Sequence, residues 1–376
     1  MNSPFQFGKT VSGFAFTDRK EQLRTFTENL SSGISSILIS PRRWGKSSLV
    51  KKCMDEVFKL NNEYLVVMID LFRIRNEEEF LEIYATELIK SSTNKIEELI
   101  VNVKEFFTTL IPKISLSVDT INDISLSFDR QELTKNRAGI LDLPQAIALK
   151  KKKKIIICID EFQNILNYKN SDLILKDLRS SWQNQNDVTF CLYGSKRHMM
   201  SVIFNDSSSA FYRFGAVIFL NKIEKQYWIP FISEAFANTE KHIPDNFCGE
   251  IADLMGNHPY YVQQLSHIVW NLTENIVDSS IVSAALEQII QMNSPFFIQQ
   301  FEVLSSTQIN LLKAVCYGET HLNSTSHLHK YRLGTSGNVS KNKRVLMEQD
   351  IIDIINSKIF FIDPVFEQWF RETILS

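Results

Sequence analysis

The stretch that decides the fold is Ile37-Leu-Ile-Ser-Pro-Arg-Arg-Trp-Gly-Lys-Ser-Ser48, an apolar run followed by a short loop and a helical segment. Its Gly-Lys-Ser triplet matches the end of a phosphate-binding loop, where backbone N–H groups at a helix N-terminus surround an anion. In that chemistry Gly45 lets the backbone approach the phosphates, Lys46 reaches the β- and γ-phosphates, and Ser47 ligates Mg²⁺. The other candidate residues of this loop are Pro41, Arg42, Arg43, Trp44 and Ser48.

The first position of the loop departs from the phosphate-binding pattern. The pattern has glycine there, whereas this chain has Ser40 followed by Pro41, whose φ is fixed at roughly −65°. We therefore expect Ser40 to adopt a turn that glycine normally provides. A degenerate loop of this kind can also be a structural turn, so a second motif is needed.

The second motif is Lys154-Ile-Ile-Ile-Cys-Ile-Asp160-Glu161, which predicts a buried parallel strand ending in two carboxylates. Ligands of open α/β sheets bind at the carboxyl ends of the strands. Asp160 is then placed to hold Mg²⁺, and Glu161 to polarise a water for attack on a γ-phosphorus. The alternative is an ordinary strand ending in a solvated acidic turn, but together with the upstream loop the motif favours an ATP site.

Composition limits the class of protein. A chain of 376 residues with 44% hydrophobic residues predicts two or three domains, and a net charge of −2 gives no global basic field for nucleic acid. The five cysteines are scattered singly, which predicts reduced thiols in a cytoplasmic protein and no zinc site. The N-terminus lacks a signal-peptide pattern, and no apolar run is long enough for a membrane span.

Strand and helix patterns alternate through the first 220 residues, which predicts an α/β fold with a parallel sheet and helices on both faces. A helix is expected from Lys46 to near Leu60. The segment 112–128 alternates apolar and polar residues around Thr120–Asp123 and predicts an inserted β-hairpin, either an edge decoration or a flap that binds a partner. The expected strands of the sheet are Ser36–Ile39, Tyr64–Ile69, Ile155–Ile159, Val188–Tyr193 and Val217–Leu220.

Helical patterns dominate after Leu220. Four helices are expected first, as a small all-helical unit. From Thr307 three further helices precede a strand pair, Ile351–Asn356 and Lys358–Ile362, which predicts a winged helix-turn-helix. The expected helices are Gln226–Asn238, Asp245–Met255, Tyr260–Leu272, Ser280–Met292, Gln308–Cys316, Ser326–Tyr331 and Asn338–Gln349.

Several short segments follow one another in a recognisable order. They are Phe14–Leu23, Ser40–Ser47, Leu143–Ala148, Ile156–Gln163, Gly194-Ser195, Phe211–Arg213, Gly256–Tyr260 and Asp363–Phe366. In this order they resemble the archaeal-type ATPase family, within the STAND branch of the AAA+ P-loop NTPases. The resemblance covers nearly the full length. It implies an AAA+ core in residues 1–220 with the hairpin inserted, a helical lid in 221–298 and a winged helix in 299–376.

The resemblance also implies roles for single residues. Asp18 and Arg19 match a segment that approaches the nucleotide base, the alternative being a helix N-cap at Asp18 and a solvated Arg19. Ser195 matches a polar sensor of the γ-phosphate, or is a turn residue. Arg213 matches an arginine that stabilises transition-state charge as a finger or sensor, or forms a structural ion pair. His258 opens a lid helix where related proteins place a nucleotide-sensing residue.

The sequence thus predicts an ATPase, namely an Mg²⁺-dependent molecular switch that binds and hydrolyses ATP, with a protein partner or self-association and no membrane contact. A non-hydrolysing nucleotide-binding module is one alternative, indicated by Ser40. A DNA-binding regulator modulated by nucleotide is the other, because the expected recognition helix near Ser336–Met347 carries Lys341, Lys343 and Arg344. Winged helices can also pack on their own nucleotide domain, so the sequence leaves DNA contact open.

Overall fold

The computed structural model describes residues 2–60, 63–92, 114–120, 123–128, 134–355 and 357–375. They form two compact units, one of residues 19–221 and the other of residues 2–18 together with 222–375. The predicted division into three domains stays a prediction. Residues 2–18, which the sequence analysis assigned to the AAA+ core, are grouped with the C-terminal residues instead.

The first unit is built on a five-stranded parallel sheet, as the sequence predicts. Seven strands are described in this unit: β1 (Ser36–Ile39), β2 (Tyr64–Asp70), β3 (Ile114–Thr120), β4 (Asp123–Phe128), β5 (Lys154–Asp160), β6 (Val188–Gly194) and β7 (Ala216–Phe219). Strands β3 and β4 pair antiparallel, as expected for the hairpin predicted over 112–128, of which residues 112, 113, 121 and 122 lie outside the described residues. The other five run in the order β2-β5-β6-β1-β7, so β6 separates the loop strand β1 from the acidic strand β5.

Helices cover both faces of this sheet. On one face, apolar residues of β5 and β6 join a core with four helices, where the Trp182 ring stacks on Phe190 at 4.1 Å between centroids. On the other face, Cys158 of β5 contacts Met54, with 3.7 Å between their sulfur atoms. The helices described in this unit are α1 (Lys20–Ser31), α2 (Lys46–Leu60), α3 (Glu77–Ser92), α4 (Arg137–Lys151), α5 (Ser171–Trp182) and α6 (Arg197–Phe204).

The second unit is mainly helical and ends in a β-hairpin wing. The helix predicted over Ser280–Met292 is longer than expected. It does not end at Met292 but continues through Pro295 to Glu302. Its last turns are stabilised because Phe297 is buried and Trp369 Nε1 donates to Ser294 Oγ at 3.1 Å. The elements are α7 (Lys225–Ala237), α8 (Asp245–Leu254), α9 (Pro259–Leu272), α10 (Ser279–Glu302), α11 (Ser306–Cys316), α12 (Thr325–Lys330), α13 (Ser336–Glu348), β8 (Ile352–Ile355), β9 (Lys358–Phe361) and α14 (Pro364–Phe370).

The N-terminal segment belongs to this second unit through specific contacts. The Phe5 ring packs against Phe231 and Phe236, with centroids 6.1 and 5.7 Å away. The side chain of Gln263 on α9 accepts from Gln6 N at 2.9 Å and donates to the Ala15 carbonyl at 3.3 Å. Among the helices that the structure describes, none is both long and apolar enough to cross a membrane.

We predict that Phe5→Ala lowers the free energy of unfolding of the second unit by about 3 kcal/mol, because it leaves a cavity in a packed aromatic core. Phe14→Ala is the matched control. Both rings contact Phe231, but Phe14 is 44% exposed and Phe5 only 5%. Denaturant unfolding measures both losses, and equal losses would contradict the anchoring role of Phe5.

Candidate functional site

The loop between β1 and α2 has a backbone that differs from the prediction at Ser40. Its left-handed residues are Arg43, with φ 64°, and Gly45, with φ 93°, whereas Ser40 is not in that region. Ser40 is buried, its N donates to the Gly194 carbonyl at 3.4 Å, and its Oγ donates to the Pro41 carbonyl at 3.2 Å. The expectation that Ser40 replaces a glycine turn is therefore wrong, because the left-handed turn falls three residues later.

The ammonium group of Lys46 is buried inside this loop. Its Nζ donates to the carbonyls of Ser40 and Pro41 at 3.1 and 3.2 Å. Burial lowers the pKa of Lys46, although the carboxylates of Glu161 and Asp160 oppose this shift. A positive charge that has little contact with water favours the approach of an anion to the loop.

Asp160 ends β5 beside the first turn of α2. Its Oδ2 accepts from Ser47 Oγ at 3.4 Å, and its Oδ1 accepts from Glu161 N at 2.8 Å. Burial, and then repulsion from the Glu161 carboxylate, raise the pKa of Asp160 to about 6. A hydroxyl and a carboxylate are oxygen ligands of the kind that Mg²⁺ prefers, so this pair fits the ion.

Glu161 follows at φ 50°, and its side chain is bound at the carboxyl end of β6. Its Oε2 accepts from Ser195 Oγ at 2.8 Å, from Ser195 N at 3.3 Å and from Gln163 Nε2. Burial alone would raise the pKa of Glu161, but the Gln163 bond, the Lys46 charge and the Ser195 bonds outweigh it and lower the pKa. The group is therefore ionised at neutral pH.

Arg19 contacts the loop between β1 and α2 through a hydrogen bond. It is 4% exposed, and its Nη2 donates to the Trp44 carbonyl at 3.5 Å. It also occupies the N-cap position of α1 that the sequence analysis gave to Asp18, so the alternative with a solvated Arg19 is wrong. Asp18 precedes it with a left-handed φ of 57°.

Two further candidates take no part in these contacts. Arg213 is exposed, with its guanidinium 5.1 Å from the centre of the Tyr212 ring, just before β7 and hence at the amino edge of the parallel sheet. The loop and the acids are at the carboxyl edge. His258 is in the second unit, where it is the N-cap of α9 and its Nδ1 accepts from Tyr260 N at 3.3 Å. The roles of both residues stay predictions.

A cavity of about 400 Å³ opens beside Glu161 at the carboxyl edge of the sheet. Arg42, Arg75 and Lys196 contribute cations to its lining, and Gln163 contributes an amide. Arg42 is among the residues predicted from the sequence, whereas Gln163 has no predicted role. A glutamine two residues after a pair of acidic residues matches no general sequence motif. The only feature of the sequence that pointed to Gln163 was its position at the end of the family segment Ile156–Gln163.

Comparison with known proteins agrees with this geometry. Residues 16–265 match an ATPase domain predominantly from Archaea, and residues 295–372 match a probable winged helix domain. The chain belongs to this archaeal-type ATPase family and carries a C-terminal winged helix, as its motifs predict. None of the curated proteins matches the chain.

Solved structures show the same fold. A Walker-type ATPase of Pyrococcus abyssi is 18% identical with a TM-score of 0.66, and the match covers 95% of this chain and 96% of that one. The ORC2 protein of Aeropyrum pernix, solved as ADPNP–ADP complexes, is 14% identical with a TM-score of 0.53. The match covers 100% of this chain and 97% of that one. The predicted fold, a parallel-sheet core with a C-terminal winged helix, is confirmed.

Proposed function

We propose that this protein binds ATP with Mg²⁺, hydrolyses it, and acts as a cytoplasmic molecular switch of the STAND type. One observation carries the proposal: the loop lysine, a hydroxyl–carboxylate pair and a second, ionised carboxylate converge at the carboxyl edge of one sheet. These are Lys46, Ser47 with Asp160, and Glu161 with Ser195. The family membership supports the ATP part of the proposal.

In this proposal each group has a distinct task. Lys46 exchanges the carbonyls of Ser40 and Pro41 for the β- and γ-phosphate oxygens, a charge-assisted contact. Ser47 and Asp160 would hold Mg²⁺, which neutralises phosphate charge when bound. Glu161 accepts a proton from the attacking water.

The switch part rests on the division of the chain into two compact units. ATP can favour one arrangement over another only through its differential affinity for the two. Ser195 and His258 are the residues that we propose to distinguish ATP from ADP, and Arg213, at the amino edge of the sheet, is not among them. A protein partner or a second copy of the chain would respond to the change.

We expect Lys46→Ala to weaken ATP binding by at least about tenfold, because charge-assisted contacts contribute roughly 1.5–3 kcal/mol each. Lys51→Ala is the matched control, since Lys51 lies on the same helix and is exposed. Titration with a fluorescent ATP analogue measures both. Equal affinity in the wild type and Lys46→Ala would exclude the loop as the phosphate site.

Glu161→Gln should retain ATP binding and lose hydrolysis, because the amide keeps the size of the side chain but does not accept a proton from water. Removal of a general base typically costs about 10²–10⁴-fold in rate. A phosphate-release assay beside the ATP titration separates the two steps. A wild-type rate in the variant would mean that Glu161 is not the base, and an inactive wild type that binds ATP would favour the non-hydrolysing module.

A second candidate function is binding of DNA through the winged helix. Lys341 and Arg344 are exposed on α13, the predicted recognition helix. Arg344 also forms an ion pair with Glu348, with 3.7 Å between Nε and Oε1. Each phosphate contact contributes about 0.9 to the slope of log affinity against log salt. The double variant Lys341→Ala/Arg344→Ala should therefore flatten the slope by roughly two, and Lys20→Ala on α1 should not. An unchanged slope would contradict this function.

A further inference from the structure

Gln163 is a buried amide that contacts the candidate base directly. Its side chain is 1% exposed, and it lies on the short 3₁₀ helix Phe162–Asn167 that follows the acidic pair. Its Nε2 donates to the same Oε2 of Glu161 that accepts from Ser195. Gln163 and Ser195 thus donate to the same carboxylate oxygen.

The space for this amide depends on Gly194, the last residue of β6. A Cβ atom at position 194 would lie 1.9 Å from Gln163 Oε1 and 2.8 Å from Met200 Sδ. Such separations are far below van der Waals contact, and Gly194 does not have a left-handed φ. Glycine is therefore needed here for room rather than for backbone freedom.

One polar atom of the buried Gln163 amide is left unsatisfied within the described part of the chain. Among the described residues, Gln163 Oε1 is buried without a hydrogen-bond partner, which is unfavourable for a polar atom. The amide cannot turn over to correct this, because its oxygen would then face the carboxylate of Glu161. The benefit that offsets this unfavourable burial is the hydrogen bond to Glu161.

Ser195 cannot hold Glu161 and a γ-phosphate with the same hydroxyl, since the group has a single hydrogen to donate. We propose that Gln163 is the positioning residue that keeps the Glu161 carboxylate at the end of β6 when the Ser195 hydroxyl turns to nucleotide, and that Gly194 is required to admit it. This inference rests on the proposed function, in which Glu161 is the base.

Steady-state hydrolysis by the full chain tests the positioning. In Gln163→Ala and Gly194→Ala we expect kcat to fall about tenfold or more, up to the roughly 10²–10⁴-fold that loss of the base itself costs, while KM and the affinity for an ATP analogue stay unchanged. Gln185→Ala is the matched control. Gln185 is also buried, at 8% exposure, and its Nε2 donates to the Leu141 carbonyl at 2.7 Å, away from Glu161. It should lower Tm without changing kcat.

A thermal double-mutant cycle tests the contact between Gln163 and Glu161 without relying on turnover. Tm is measured for the wild type, Gln163→Ala, Glu161→Ala and the double variant. Coupled residues give losses that do not add, so the double variant should lose less than the sum of the single losses. Additive losses, or a wild-type kcat in Gln163→Ala, would overturn the inference. A wild type without hydrolysis would overturn the proposed function, while the cycle would still report on the contact.

Discussion

The parallel pairing of β6 with both of its neighbours is the constraint on which the site depends. Ile39 of β1 is in register with Gly194, and Ile159 of β5 with Leu192, so all three strands end at one edge. The loop, the acidic pair and Ser195 follow directly from these ends. Their side chains therefore meet although they are far apart in sequence, and no long-range loop is needed to bring them together.

Burial of charge at this edge makes the site unfavourable for the folded state without a ligand. The pKa of Lys46 is lowered and that of Asp160 is raised, and both shifts have burial as their largest cause. Each charge is thus less stable here than in water. A phosphate bound near Lys46, or a cation near Asp160, would relieve this cost. Sites that store instability in this way are typical of functional regions.

The sequence predicts this architecture well where patterns are local. The bounds of β1 and α2 agree with the prediction because an apolar run and a Gly-Lys-Ser triplet mark them. The helix across Pro295 was predicted too short, since proline normally disfavours a helix interior and only packing of Phe297 shows otherwise. The prediction of a glycine-like turn at Ser40 is wrong, because backbone angles within a loop cannot be derived from residue types alone. The roles of Arg213 and His258 are untested.

The grouping of residues 2–18 with residues 222–375 has a consequence for the order of folding. A chain is synthesised from its N-terminus, and domains generally fold as units during synthesis. Phe5 emerges early, but its partners Phe231 and Phe236 are made only after the whole first unit. The segment therefore cannot reach these partners until residues 19–221 have been synthesised. The second unit closes by a contact of very long sequence separation, which is a slow type of folding event.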